Sequence, residues 1–77
     1  MAASPRTNPV QLGAAIRLLR QAREQTIEDL AADAGIHWTY LSGIEHGKRN
    51  PSWQVVSGIS AALDVDLGEI ARVASEQ

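Results

Sequence analysis

Hydrophobic positions along this chain fall into five helical stripes. Leu12, Ala15, Ile16 and Leu19 recur at i, i+3, i+4, i+7, which marks one buried face of an amphipathic helix. Ile27, Leu30, Ala31 and Ala34 repeat the spacing. Leu41 and Ile44 follow, with Ile36 at the entry and Tyr40 at the margin. Val56, Ile59 and Leu63 then share a face, with Val55 and Ala62 on an adjacent one, and Leu67, Ile70, Ala71 and Ala74 close the series. The punctuation between stripes agrees. Asn8 with Gln11, Thr26 with Asp29, and Asp66 with Glu69 have capping-box spacing, Pro9 suits a first helical position, and Ser52 can cap. Gly35 and Gly47 follow two of the stripes, where a left-handed residue ends a helix. The third helix is expected to start after His37 or Trp38 and to run to His46. No strand-like alternation, repeat or low-complexity stretch interrupts the pattern. The expectation is an all-α fold of five helices, with residues 1–7 as a flexible tail and residues 8–77 as a single domain.

Composition narrows the function. A 77-residue chain builds only one small core, which needs disulfides, metal or self-association as support. There is no cysteine, and His37 and His46 lie too far apart to share a helical face as ligands, so no metal or other cofactor is expected and self-association is. No apolar run approaches the roughly 18 residues of a membrane span, and no signal-peptide core precedes the first stripe, so a soluble, cytoplasmic protein with no membrane partner is expected. Ser42, Ser57 and Ser60 have no histidine–carboxylate pattern around them, and no glycine-rich phosphate cradle exists, so an enzyme is not expected. Net charge is −2, yet residues 1–23 carry four arginines and no acid, while residues 24–53 and 54–77 each sum to −3. Positive charge is segregated rather than absent.

The most informative segment runs from Thr26 to Pro51. Two short stripes meet at Ala34-Gly35-Ile36, a tight glycine-containing turn, which is the sequence form of a helix-turn-helix whose second helix enters the DNA major groove. With Leu41 and Ile44 inward, the helical period of about 100° turns Trp38, Thr39, Ser42, Gly43 and His46 outward. Double-stranded DNA is therefore the expected partner.

The runs TIEDLAADAGI (26–36) and TYLSGIEHGKRNP (39–51) resemble the Cro/C1-type (Xre) helix-turn-helix family, and the likeness extends over residues 12 to 71. The second run is most similar to the controller proteins of restriction–modification systems. The resemblance implies a five-helix, lambda-repressor-like DNA-binding domain with a central helix-turn-helix, acting as a symmetric homodimer on a palindromic operator. It implies that Trp38, Thr39, Tyr40 and Gly43 face the major groove, and that Arg20 and Glu45 form an ion pair between the first and third helices. Lys48, Arg49 and Asn50 fall in a loop that grips phosphates or enters the minor groove. Arg17 suits either a backbone contact or a solvated face. Trp53 stands where the family carries a large apolar residue and is expected in the core or at a dimer edge. Glu24 replaces a usual glycine, Ile27 and Gly43 replace polar docking residues, and Trp38 replaces a polar or basic one. These departures leave the fold alone and weaken the expected base readout.

The C-terminal third has more apolar residues than two helical stripes can bury, so a dimer contact is expected there, with Val65, Leu67 and Val73 most buried in it. The expected function is a sequence-specific transcriptional regulator, a repressor by blocking RNA polymerase or an activator by touching it, controlled through its own concentration or a partner. The competing reading is a protein-interaction module, such as an antitoxin or co-regulator, that keeps the fold without using its groove face.

Overall fold

Each helix begins where a side chain satisfies the free N–H groups of its first turn. The computed structural model describes residues 8–77, so the expected tail at residues 1–7 lies outside the described residues. Helix α1 spans Pro9–Ala22, α2 Ile27–Ala34, α3 Trp38–Glu45, α4 Trp53–Leu63 and α5 Leu67–Ser75, with no strand among the described residues. The Asn8 side chain accepts from the Gln11 N–H (2.9 Å) while Gln11 accepts from the Asn8 N–H (3.1 Å). Thr26 and Asp29 exchange the same pair of bonds at the head of α2. Ser52 caps α4 and Asp66 caps α5. The expected reciprocal bond from Glu69 to Asp66 does not form, because both Glu69 carboxylate oxygens accept from Arg72 at 3.0 Å.

The helix ends follow one rule as well. In α1 to α4 the residue beyond the last turn takes a left-handed backbone, and its N–H and the next one close back on the final turn. Glycine does this at Gly35 and Gly47. Glu24 (φ 56°) and Asp64 (φ 57°) do it with a side chain, against the steric preference of an L-residue.

Ala15, Ile16, Leu30, Ala31, Leu41, Ile44, Ile59, Leu63, Ile70 and Ala74 form the buried core, so every helix contributes. Helix α1 packs on α5 and α3, and α2 on α4 and α3. Two expectations are corrected. Ala71 is exposed, and α5 turns Ile70, Val73 and Ala74 inward instead. For Trp53, expected in the core or at a dimer edge, only the core is ruled out: it is 73% exposed, because it occupies the first helical position and points away from the core that Val56 and Ile59 meet. No helix among the described residues is long and apolar enough to cross a membrane.

Helices α1 and α3 meet at unusually close range. A Cβ on Gly13 would collide with the Ile44 carbonyl oxygen and lie 2.8 Å from that of Glu45. About two turns further along α1, Arg20 holds Glu45 in a two-pronged ion pair, Nε to Oε2 at 2.7 Å and Nη2 to Oε1 at 3.0 Å. The third guanidinium arm donates to the Gln25 carbonyl at 2.8 Å, tying in the loop before α2. The Glu45 side chain is 2% exposed and that of Arg20 14%. The hydrogen bonds it donates to Glu45, more than that carboxylate's field, hold the Arg20 guanidinium protonated even beyond its ordinary range.

Glu45→Ala is expected to destabilise the protein by about 2–3 kcal/mol, because a largely buried guanidinium keeps only one carbonyl partner. Glu24→Gly is expected to stabilise it by roughly 0.5–1 kcal/mol, the relief of a left-handed side chain outweighing the greater freedom of unfolded glycine. Urea unfolding checks both; unchanged midpoints contradict the clamp and the strain respectively.

Candidate nucleic-acid interface

Helix α3 has eight residues, too few to be stable alone, so its conformation depends on what its inner face touches. Leu41 and Ile44 are fully buried and Glu45 is held by Arg20. The turn from α2 is closed by Gly35, with the Ile36 N–H donating to the Ala31 carbonyl at 3.0 Å. The opposite face is open. Trp38, Thr39 and His46 are exposed, while Ser42 and Gly43 are half-buried. Tyr40 is half-buried against the core, an edge residue rather than a fully outward one. Lys48, Arg49 and Asn50 are exposed in the loop that follows.

One contact joins that loop to the helix. A Cβ at Gly43 would lie 2.8 Å from Arg49 Cγ and 3.7 Å from its Nε, so the arginine side chain lies across the surface that glycine leaves bare. The absent side chain on the helix is thus replaced by a cationic one from the loop.

Two histidines bracket the helix, and their partners fix how each ring is protonated. The Thr39 backbone N–H, which can only donate, lies 3.1 Å from His37 Nδ1, so that nitrogen accepts. The Ser42 carbonyl, which can only accept, lies 2.7 Å from His46 Nδ1, so that nitrogen carries a proton. An acceptor at the N-terminus and a donor at the C-terminus complement the unpaired backbone groups of the helix. The cap at His37 was missed in the sequence because serine, threonine and aspartate are the usual signals. The His37 and Trp38 rings stack with centroids 6.0 Å apart.

The arginine-rich N-terminal segment has less free charge than its composition suggests. Arg20 is committed to Glu45 and Gln25, and Arg23 donates to the Leu63 carbonyl at 2.9 Å. Arg6 lies outside the described residues, and Arg17 stands exposed on α1. On α5, Arg72 pairs with Glu69 and Glu76, which offsets acid in the C-terminal third. Val65 and Val73, expected at a dimer contact, are half-buried against this protomer's own core, and Leu67 is half-buried at the head of α5. Among the described residues, the large apolar side chains that remain exposed are Val10, Leu18, Trp38 and Trp53. Val10 and Leu18 border a shallow groove beside α1 that reaches His46.

A helix-turn-helix domain model matches residues 11–73 of the chain. The transcriptional regulator SlrR of Bacillus subtilis is 42% identical over 60 residues, covering 77% of this chain and 40% of SlrR. SinR of the same organism is 37% identical over 57 residues, covering 73% of this chain and 51% of SinR. The chain therefore spans about half, or less, of the length of these relatives. Among solved structures, the restriction-modification controller protein C.AhdI from Aeromonas hydrophila aligns with a TM-score of 0.79 at 34% identity, over 80% of this chain and 94% of that one. The controller C.Esp1396I, solved as a tetramer in complex with its natural 35 base-pair operator, aligns with a TM-score of 0.82 at 26% identity, over 88% of this chain and 90% of that one. Five helices in this order, the short turn at Gly35 and the match over residues 11–73 agree: the chain belongs to the helix-turn-helix domain family, of the Cro/C1 (Xre) type.

Proposed function

We propose that this protein is a sequence-specific DNA-binding transcriptional regulator that acts as a homodimer on a palindromic operator. The observation that carries the reading is the open face of α3, rigidly backed by α1 and overlaid by Arg49. Trp38, Thr39, Tyr40, Ser42, Gly43 and His46 form the face that meets base edges. Lys48, Arg49, Asn50 and Arg17 flank it and meet phosphates, with the Arg49 side chain lying across Gly43 at the edge of that face. Phosphate contacts set the docking position, and the short polar side chains of α3 supply the sequence information. The exposure of this face and the operator complex of C.Esp1396I support the reading. A bound dimer at a promoter either blocks RNA polymerase or contacts it.

The dimer contact is assigned to the junction of α4 and α5, with Val65, Leu67 and Val73 at its centre and the exposed Trp53 at its edge. Half-buried apolar groups there gain from further coverage, and a domain of this size benefits from the added buried area. A two-fold axis at that junction leaves both α3 helices on one side, suited to successive major grooves about 34 Å apart.

Titration of duplex DNA at two salt concentrations tests the DNA reading. Affinity is expected to fall steeply with salt, and Arg49→Ala to reduce the slope by about 1 if it neutralises one phosphate. A pure interaction module shows no binding at either salt, and that result overturns the proposal. Sedimentation equilibrium at micromolar concentration tests the dimer: Leu67→Asp is expected to yield monomers, and a dimer indifferent to it misplaces the contact.

A further inference from the structure

Thr39 is bonded to His37 through two atoms. Its backbone N–H lies 3.1 Å from His37 Nδ1, and its hydroxyl Oγ1 lies 2.7 Å from the same nitrogen. The backbone N–H has no acceptor capacity, so Nδ1 must be the unprotonated, accepting nitrogen of the ring. A nitrogen that only accepts leaves one role to a hydroxyl at 2.7 Å, which is to donate its single proton. The oxygen keeps its lone pairs and faces solvent as an acceptor alone. Stacking of the His37 ring on Trp38 restrains the imidazole in the plane that makes both bonds.

We propose that His37 is a positioning residue that sets the polarity of the Thr39 hydroxyl, and thereby restricts the base Thr39 accepts to one presenting a major-groove donor, adenine or cytosine. The inference rests on the DNA-reading role of Thr39 proposed above. A free threonine hydroxyl can serve a donor or an acceptor and discriminates poorly between bases. Adenine offers its N6 amino group and cytosine its N4 amino group in the major groove, whereas the guanine O6 and N7 and the thymine O4 only accept. A hydroxyl whose proton is already committed pairs with the first two and leaves the others facing lone pair to lone pair. The discrimination comes from a histidine that need not touch the base at all.

Selection from a random duplex pool tests this with four proteins. In the wild type, the position whose preference disappears in Thr39→Val is expected to hold adenine or cytosine over guanine or thymine by about tenfold, the size of one well-placed hydrogen bond in discrimination. His37→Asn is expected to keep that preference, because the amide oxygen can accept from both Thr39 groups as Nδ1 does. His37→Ala frees the hydroxyl, and the preference at that one position is expected to shrink to within about threefold while the rest of the consensus persists. Nitrogen-15 spectra of the imidazole are expected to show the proton of His37 on Nε2, a readout independent of whether the alanine variant folds. A proton on Nδ1, guanine or thymine at the Thr39 position, no position that depends on Thr39, or a preference untouched by His37→Ala with Thr39 still reading it overturns the inference and leaves the DNA-reading function standing. A wild-type selection with no consensus anywhere overturns that function itself.

Discussion

The buried pair between Arg20 and Glu45, with the backbone approach at Gly13 beside it, is the constraint on which the placement of α3 depends. Each half needs the other. Without a side chain at position 13, α1 reaches the carbonyls of the last turn of α3, and at that range a lone carboxylate would be left among apolar groups. The guanidinium answers it with two hydrogen bonds and spends its third arm on Gln25, so one side chain fixes α1, α3 and the start of the α2 connection together. A buried charge pair gains little over a well-packed apolar contact in stability. Its contribution here is geometric, since only one relative rotation of α1 and α3 satisfies both prongs.

That geometry explains how eight residues can present a defined surface. The inner face of α3 is consumed by Leu41, Ile44 and Glu45, and its two ends are closed by histidines of opposite protonation pattern. The outer face makes no core contact, which leaves the exposed Trp38 and Thr39 and the half-buried Ser42 available for contacts. Charge follows the same division of labour. The chain is acidic overall, yet Arg20 and Arg23 are committed to structural bonds, and the exposed cations near α3 among the described residues are Arg17, Lys48 and Arg49. Local placement of a few cations, not net charge, is what this surface offers to a phosphate backbone.

Helix positions were legible in the sequence because caps and stripes were redundant: Asn8, Thr26, Ser52 and Asp66 each mark a start that the apolar period also marks. The salt bridge was legible only through the family resemblance, since residues 25 apart show no local pattern. Three things were not legible. Ala71 and the core alternative for Trp53 were assigned by periodicity or analogy, and which residues α5 turns inward and the first helical position of Trp53 decided their exposure instead. Arg49 folding over Gly43 is a long side chain filling a local absence, which spacing cannot foretell. The hydroxyl polarity of Thr39 depends on which nitrogen of His37 is protonated, a matter of hydrogen-bond geometry.

On the proposed function, the outward face of α3, with its adjoining loop, is the surface that meets DNA. Titrating nitrogen-15-labelled protein with a duplex recovered from a random pool tests it residue by residue. The largest amide shifts are expected on residues 37–43 and 46–50, with the indole signals of Trp38 moving and the core of α5 still. Shifts confined to the α1 groove around Val10 and Leu18, with α3 unaffected, would contradict it.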